Sequence, residues 1–203
     1  MKTLLLFFAS IFIAITEMSA QIASFVPPAY YRRDTTYVMD GYSYRCDGKT
    51  GNISLYNSEN KWVNVRQIYK ATGKTFDFGF GEVDKYNPIV DNSEMDKVVL
   101  NIIDNGFTKD FTKLLENDEW INIVMYLNSE TGKVEDVKFW FTDFEHYSTL
   151  PISNYRDIEL KLKEQVSYTP SNIGKQLNYI LLSLIRKPLG ALPPPDTDLV
   201  PIE

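Results

Sequence analysis

The chain has 203 residues and a formal net charge of −6, from 21 Lys and Arg against 27 Asp and Glu. A mildly acidic chain without a basic cluster is poorly suited to phosphate backbones, so nucleic acid is not an expected partner. Cys46 is the only cysteine, which excludes an intramolecular disulfide and leaves packing to stabilise the fold. We predict a buried thiol there, with an intermolecular bridge as the alternative.

The amino terminus has the parts of a cleavable secretory signal peptide. Lys2 supplies a positive charge, residues 4–15 form an apolar run, and a short polar stretch leads to Ala20. A helix of about twelve residues spans roughly 18 Å, which is short of the roughly 30 Å membrane core. We predict cleavage between Ala20 and Gln21, a periplasmic or secreted location, and no stable membrane insertion afterwards. Met18 is larger than the residue preferred near a cut, so an uncleaved anchor is the alternative.

Residues 21–90 are predicted to form a β-rich region. Short aromatic and β-branched runs alternate with turn residues such as Asp40-Gly41 and Thr72-Gly73, a pattern typical of an antiparallel meander. The predicted strands cover residues 35–39, 42–46, 52–56, 61–65 and 75–80.

The hydrophobic period then changes to that of a helix. Apolar residues from Met95 to Ile103 include the i, i+3, i+4, i+7, i+8 spacing of an amphipathic helix. Asp91 and Glu94 fit a capping box at its start, and Gly106 is placed to end it in the left-handed conformation. A shorter helix is predicted next, with an apolar side formed by Phe107, Phe111, Leu114 and Leu115.

The carboxy-terminal half is predicted to contain a hairpin, a helix and a further strand. In residues 120–128, successive side chains alternate between two faces, one of which is wholly apolar, and this pattern predicts a strand. Residues 134–141 are predicted to form the second strand of the hairpin. A helix is expected over 154–165, with Ser153 as its cap. Residues 177–185 are apolar on both faces, which predicts a central strand.

This order of elements predicts an α+β fold. An N-terminal antiparallel β-meander is followed by a two-layer α-β-β-α-β unit. The predicted organisation is a signal peptide (1–20), a β-rich region (21–90), the α+β unit (91–186) and a Pro-rich flexible tail (187–203).

Two motifs in the carboxy-terminal half resemble the carboxy-terminal domain of TonB proteins. The alternating segment 121–139 contains a Gly-Lys-Val turn at Gly132, and the aromatic-x-Pro motif ending at Pro170 is followed by a Gly-Lys pair at Gly174. The resemblance covers about residues 107–186 and implies an envelope domain whose sheet edge pairs with an extended partner. A TonB energy transducer also has an uncleaved anchor and a long Pro-rich spacer ahead of this domain. The β-rich region stands in their place, so energy transduction is not expected.

The sequence predicts no catalytic, metal or cofactor site. Four Gly-Lys pairs lack the earlier glycine that a phosphate loop requires, and they are interpreted as turns. His146 is the only histidine and is interpreted as part of a solvated loop. Carboxylate pairs such as Glu116 with Asp118, or Asp143 with Glu145, are interpreted as surface charge.

Aromatic residues make up 14% of the chain and supply the candidate binding residues. Trp62, Trp140, Tyr147 and Tyr44 fall in predicted strands or loops where one face can be exposed, and packing in the core or sheet is the commoner role of any one such ring. Exposed aromatic rings anchor protein interfaces and can stack on sugars. The leading hypothesis is an exported non-enzymatic module, without a cofactor, that binds an envelope protein or extended peptide by sheet-edge pairing. The alternative is a small glycan-binding module that uses these rings, and an enzyme is the third possibility.

Overall fold

The computed structural model describes residues 31, 33–48, 51–76, 87–90, 92–107, 120–142 and 146–186. These residues form a six-stranded antiparallel sheet whose inner face carries two helices. The strands are β1 (Thr35–Met39), β2 (Tyr42–Asp47), β3 (Asn52–Asn57), β4 (Ile121–Leu127), β5 (Val134–Thr142) and β6 (Ile180–Arg186), and the helices are α1 (Ser93–Gly106) and α2 (Ile152–Gln165). The predicted signal peptide, most of the short helix expected after α1, and the Pro-rich tail lie outside the described residues.

The strand order is β1-β2-β3-β5-β4-β6, and it confirms the α+β prediction. The first three strands form the predicted meander. Asp40 and Gly41 join β1 to β2 with positive φ angles of 46° and 80°, which suits a tight hairpin turn. β3 pairs with β5, and the pairing extends from Asn52 opposite Thr142 to Tyr56 opposite Lys138. The meander and the carboxy-terminal unit therefore share one sheet.

The strand predicted over 61–65 is wrong. Asn60 accepts hydrogen bonds from the backbone N–H groups of Trp62 (2.9 Å) and Val63 (3.1 Å), and these bonds turn the chain away from an extended course. We call residues 58–76 the lobe. It consists of turns and isolated bridges rather than strands.

The lobe packs on the outer face of the sheet, the face opposite the helices. Trp62 lies against Tyr179, with ring centroids 4.8 Å apart, and both belong to a small apolar cluster outside the main core. The strand predicted over 75–80 is described only at its first two residues. Thr75 forms an isolated bridge with Ile68 there.

β6 pairs with β4 along its seven residues but is an edge strand of the sheet. The central position predicted for residues 177–185 is therefore wrong. Leu182 and Leu184 pack against the core, whereas Leu181 and Ile185 are 38% and 66% exposed. An apolar run indicates a strand but does not reveal whether a neighbour covers its second face.

The ends of α1 differ from the prediction. Asn92, and not Asp91, caps the start, because the Asn92 side chain accepts the backbone N–H of Met95 at 3.1 Å. Gly106 remains helical and does not end α1 in the left-handed conformation. A Cβ at Gly106 would lie 2.2 Å from Cγ1 of Ile158, so glycine is needed for the close approach of α1 to α2.

The start of α2 also differs from the prediction. The helix begins at Ile152, so Ser153 lies inside its first turn and is not the cap. Pro151 occupies the capping position with a φ of −57°, which suits a helix start without a side-chain hydrogen bond. No helix among the described residues is long and apolar enough to cross a membrane. The side of α2 that faces the sheet is buried through Tyr155, Ile158 and Leu162, and Val166 directly after the helix is buried as well.

The main core lies between the inner face of the sheet and the two helices. Tyr155 of α2 stacks on Phe141 of β5, with centroids 5.7 Å apart, and meets Phe139 edge-on at 5.0 Å. Cys46 of β2 is fully buried in this layer, as predicted. Much of the high aromatic content therefore serves packing.

Candidate functional site

Two of the four aromatic candidates belong to the core. Tyr44 is fully buried and donates its hydroxyl to Glu159, and burial together with this carboxylate raises the pKa of Tyr44. Tyr147 is 2% exposed and packs edge-on against Phe107, with centroids 5.3 Å apart. Neither residue has the exposed face that a binding role requires. The alternation of β2 does not show that α2 covers Tyr44, and Tyr147 lies in the 3-10 helix His146–Thr149, where Phe107 packs against it.

Trp62 attaches the lobe to the sheet. Its indole Nε1 donates to Glu135 at 3.0 Å, its ring packs on Tyr179, and the ammonium of Lys61 lies 4.9 Å from its centroid. The ring is half-buried by these contacts. These contacts explain the position of Trp62 without a bound ligand.

Trp140 remains the best placed of the four candidates. It projects from the outer face of β5, between the core residues Phe139 and Phe141, and is only partly buried. Trp120, immediately before β4, lies beside it with ring centroids 5.0 Å apart. Trp120 was not among the candidate residues, although the alternation in 120–128 already separates it from the core side of that strand.

Lys138 lies on the same outer face, two residues before Trp140. Its cross-strand neighbours are Tyr56 of β3 and Val124 of β4, both buried. Within the described chain its ammonium has no hydrogen bond or ion pair, and burial lowers its pKa. The sequence analysis did not single out Lys138, because neither its burial nor its lack of a counter-ion is visible in a strand pattern.

A polar cleft of about 310 Å³ lies between the lobe, the start of β5 and α2. Burial raises the pKa of Asp136, although Lys163 lies 3.6 Å away. Burial also acts to raise the pKa of Glu135, but hydrogen bonds that include those from Asn128 and Lys61 outweigh it and lower that pKa. Both lysines of the cleft are thus paired with carboxylates. Its lining consists of Asn57, Glu59, Lys61, Glu135, Asp136 and Lys163.

The outward edge of β6 is the second surface of interest. Among the described residues, β4 is the only strand that pairs with Ile180–Arg186. Arg186 is held by Asp104 of α1, with Nε donating to Oδ1 at 2.8 Å, so the end of the strand is fixed to the helical layer. The edge therefore presents backbone N–H and C=O groups on a strand whose position is fixed by β4 and α1.

The single histidine does not contribute to a described site. His146 begins a short 3-10 helix, His146–Thr149, and its side chain lies outside the described residues. In the described ranges, no group of three or more His, Cys, Asp and Glu side chains is placed to hold a metal ion. The carboxylates of the two suggested pairs also lie outside these ranges: Glu116, Asp118, Asp143 and Glu145.

Comparison with known proteins places the chain in a family. A family model described as a domain of unknown function, DUF5043, matches residues 28–184. The chain belongs to the DUF5043 family. A crystal structure of a DUF5043 family protein from Bacteroides uniformis is 39% identical, with a TM-score of 0.71, over 79% of this chain and 95% of that chain. The DUF5043 match begins before β1 and ends within β6, and no curated protein matches the chain.

Proposed function

We propose that this DUF5043 protein is an exported, non-enzymatic module that binds an extended segment of an envelope protein as an added strand beside β6. The observation that carries the proposal is that, among the described residues, no strand pairs with the outward edge of β6. An extended peptide can hydrogen-bond to such a backbone edge while its alternate side chains meet exposed apolar residues. Leu181 and Ile185 supply those apolar contacts on the outer face.

The other edge of the sheet is less suited to a partner. β1 has five residues, and Asp34 and Asp40 flank it with positive φ angles that end its extended course. Short strands and charged ends are common protections of sheet edges. β6 has seven residues and is apolar apart from Ser183 until Arg186, whose charge is paired with Asp104 of α1.

The lobe defines where an added strand would begin. Asn178 donates its backbone N–H to Ile68 at 3.0 Å, and the Gln67 side chain donates to the Tyr179 carbonyl at 2.9 Å. The lobe thus contacts the residues just before β6, and no described residue pairs with the outward edge of Ile180–Arg186. A partner segment of about seven residues would lie beside β6, beginning where the contacts of the lobe end.

Two further features support this function. The resemblance of residues 107–186 to TonB carboxy-terminal domains implies the same mode of strand pairing, and the predicted signal peptide implies delivery to the envelope. The glycan-binding alternative through the four aromatic candidates is weakened because Tyr44 and Tyr147 are buried.

Site-specific photo-crosslinking in the producing cell tests the proposal. A photoreactive side chain at Ile185 should give a cross-link to an extended segment of another envelope protein, whereas one at Val38 on the β1 edge should not. Both positions are well exposed, at 66% and 64%. Replacing Leu181 with lysine in the protein that carries the photoreactive side chain at Ile185 should abolish this product, since charge on an edge strand disfavours pairing. Cross-links only between copies of this chain, or equal products at both positions, would contradict the proposal.

A further inference from the structure

The outer face of the sheet contains a second surface, separate from the β6 edge. It centres on Lys138 and Trp140 of β5, with Ser54 of β3 on one side of Trp140 and Asn122 of β4 on the other. Ser54, Asn122 and Trp140 are all partly exposed. The surface therefore combines a cation, an aromatic ring and two small polar side chains on one rigid sheet.

The charge of Lys138 is not compensated within the described chain, unlike that of the nearby cations. Arg45, on the same face, donates to Asp47 at 2.6 Å, and Lys61 pairs with Glu135 at 3.0 Å. Burial lowers the pKa of Lys138, and no anion among the described residues opposes this effect. A half-buried ammonium without a counter-ion is unfavourable, and an anionic group bound beside it removes that penalty.

The tryptophan pair supplies a platform beside this cation. Trp120 packs against Trp140 at a centroid distance of 5.0 Å, with the rings tilted by 51°. An indole face is electron-rich, so it attracts the weakly positive C–H groups on the face of a sugar ring. The Asn122 side-chain oxygen accepts from Ser183 at 2.8 Å, which fixes the amide and leaves its NH₂ group directed to other acceptors.

We propose that this surface binds a saccharide that bears a carboxylate. The sugar ring stacks on Trp140, its carboxylate pairs with Lys138, and its hydroxyl groups meet Ser54 and Asn122. A carboxylate on a flexible acidic peptide would pair with Lys138 but would not use the indole platform in this way. Lys138 and Trp140 lie on β5, two strands in from β6, and Asn122 of β4 faces outward opposite Ile185, so none of the three uses the backbone edge of β6 to which a peptide would pair.

Titration of the purified protein with oligogalacturonate, followed by tryptophan fluorescence, tests the site. We expect saturable quenching by the acid form and binding about tenfold to a hundredfold weaker for the fully methyl-esterified form, as for loss of a charged hydrogen bond. Lys138→Met should weaken binding of the acid by the same factor. Lys175→Met, which removes an exposed lysine elsewhere, should not change it.

The acid and ester are compared on the unaltered protein, so the test remains decisive if Lys138→Met fails to fold. Absence of saturable quenching, equal affinity for acid and ester, or unchanged affinity in a folded Lys138→Met protein would overturn the proposal. Equally tight binding of poly-glutamate would overturn the saccharide assignment. The Leu181→Lys variant should retain the saccharide affinity, because Leu181 lies opposite Tyr126 and not opposite Asn122. This result would separate the site from the proposed strand pairing.

Discussion

The buried carboxylate of Glu159 in α2 accepts a hydrogen bond from the hydroxyl of Tyr44 in β2. Arg156 donates to the same carboxylate at 3.2 Å, and Lys163 lies 3.4 Å from its other oxygen. A buried carboxylate is stable only when it is paired and hydrogen-bonded, and these contacts meet both conditions. The group joins the amino-terminal meander to the helical layer, so the two parts of the chain share one polar contact within the core.

Removing this carboxylate should destabilise the protein. We expect Glu159→Gln to lower the free energy of unfolding by about 3 kcal/mol, the lower end of the range for breaking a buried ion pair, since both cations are partly exposed. Tyr44→Phe should cost about 1–2 kcal/mol. Urea unfolding measures both, and the double variant should lose less than the sum because the residues share one contact. Glu164→Gln on the exposed side of α2 is the control, and additive losses would count against the coupling.

Gly132 in the turn between β4 and β5 should tolerate replacement less well than Gly73 in the lobe. Its φ is +71°, and a Cβ would lie 1.6 Å from the Tyr168 carbonyl oxygen. Gly73 has a similar φ of +68° with no atom within 4 Å, so it isolates the cost of the backbone conformation. We expect a loss of about 1–2 kcal/mol for Gly73→Ala and about 2–5 kcal/mol for Gly132→Ala, measured by urea unfolding. Equal losses would show that the Tyr168 segment moves aside freely.

The buried tyrosines should make the fold sensitive to alkali. Burial raises the pKa of Tyr31, Tyr44, Tyr126 and Tyr168 above the ordinary value of 10.0. The unfolded chain therefore loses these protons first, so their contribution to stability is complete below pH 10 and falls as the pH rises toward their folded-state values. Each such tyrosine adds a slope of about 1.4 kcal/mol per pH unit.

Urea unfolding at a series of pH values, combined with tyrosinate absorbance, checks this expectation. The free energy of unfolding should decline steeply above pH 10, and Tyr126→Phe should make the decline shallower because one raised pKa is removed. If these buried tyrosines ionised near pH 10 while the protein was still folded, the expectation would be contradicted.

The predicted signal peptide should be absent from the exported protein. Amino-terminal sequencing of protein recovered from the cell envelope should begin at Gln21. Replacing Ala20 with a bulky leucine should slow cleavage and leave precursor in the membrane fraction, because the site before the cut prefers a small residue. Wild-type protein that retains Met1 and stays in the membrane would instead support the uncleaved anchor.

The sequence determined the elements whose signals are local. The alternation in β4, the Asp40-Gly41 turn and the helical period of α1 each follow from neighbouring residues, and each was predicted correctly. The wrong predictions for the segment 61–65 and for the cap of α1 arose where a second residue nearby could form a competing hydrogen bond. Asn60 redirects the chain at the lobe, and Asn92 takes the capping role that Asp91 also fits.

Only the tertiary structure decided which faces and edges remain open. Tyr44 and Trp140 both lie in alternating strands, yet α2 covers one and leaves the other partly exposed, and that difference depends on residues distant in the chain. The edge position of β6 likewise follows from its pairing with β4, some sixty residues earlier. Lys138 became a candidate for the same reason. Burial and the absence of a described counter-ion are properties of the packed sheet, and the hydrophobic pattern of one strand does not contain them.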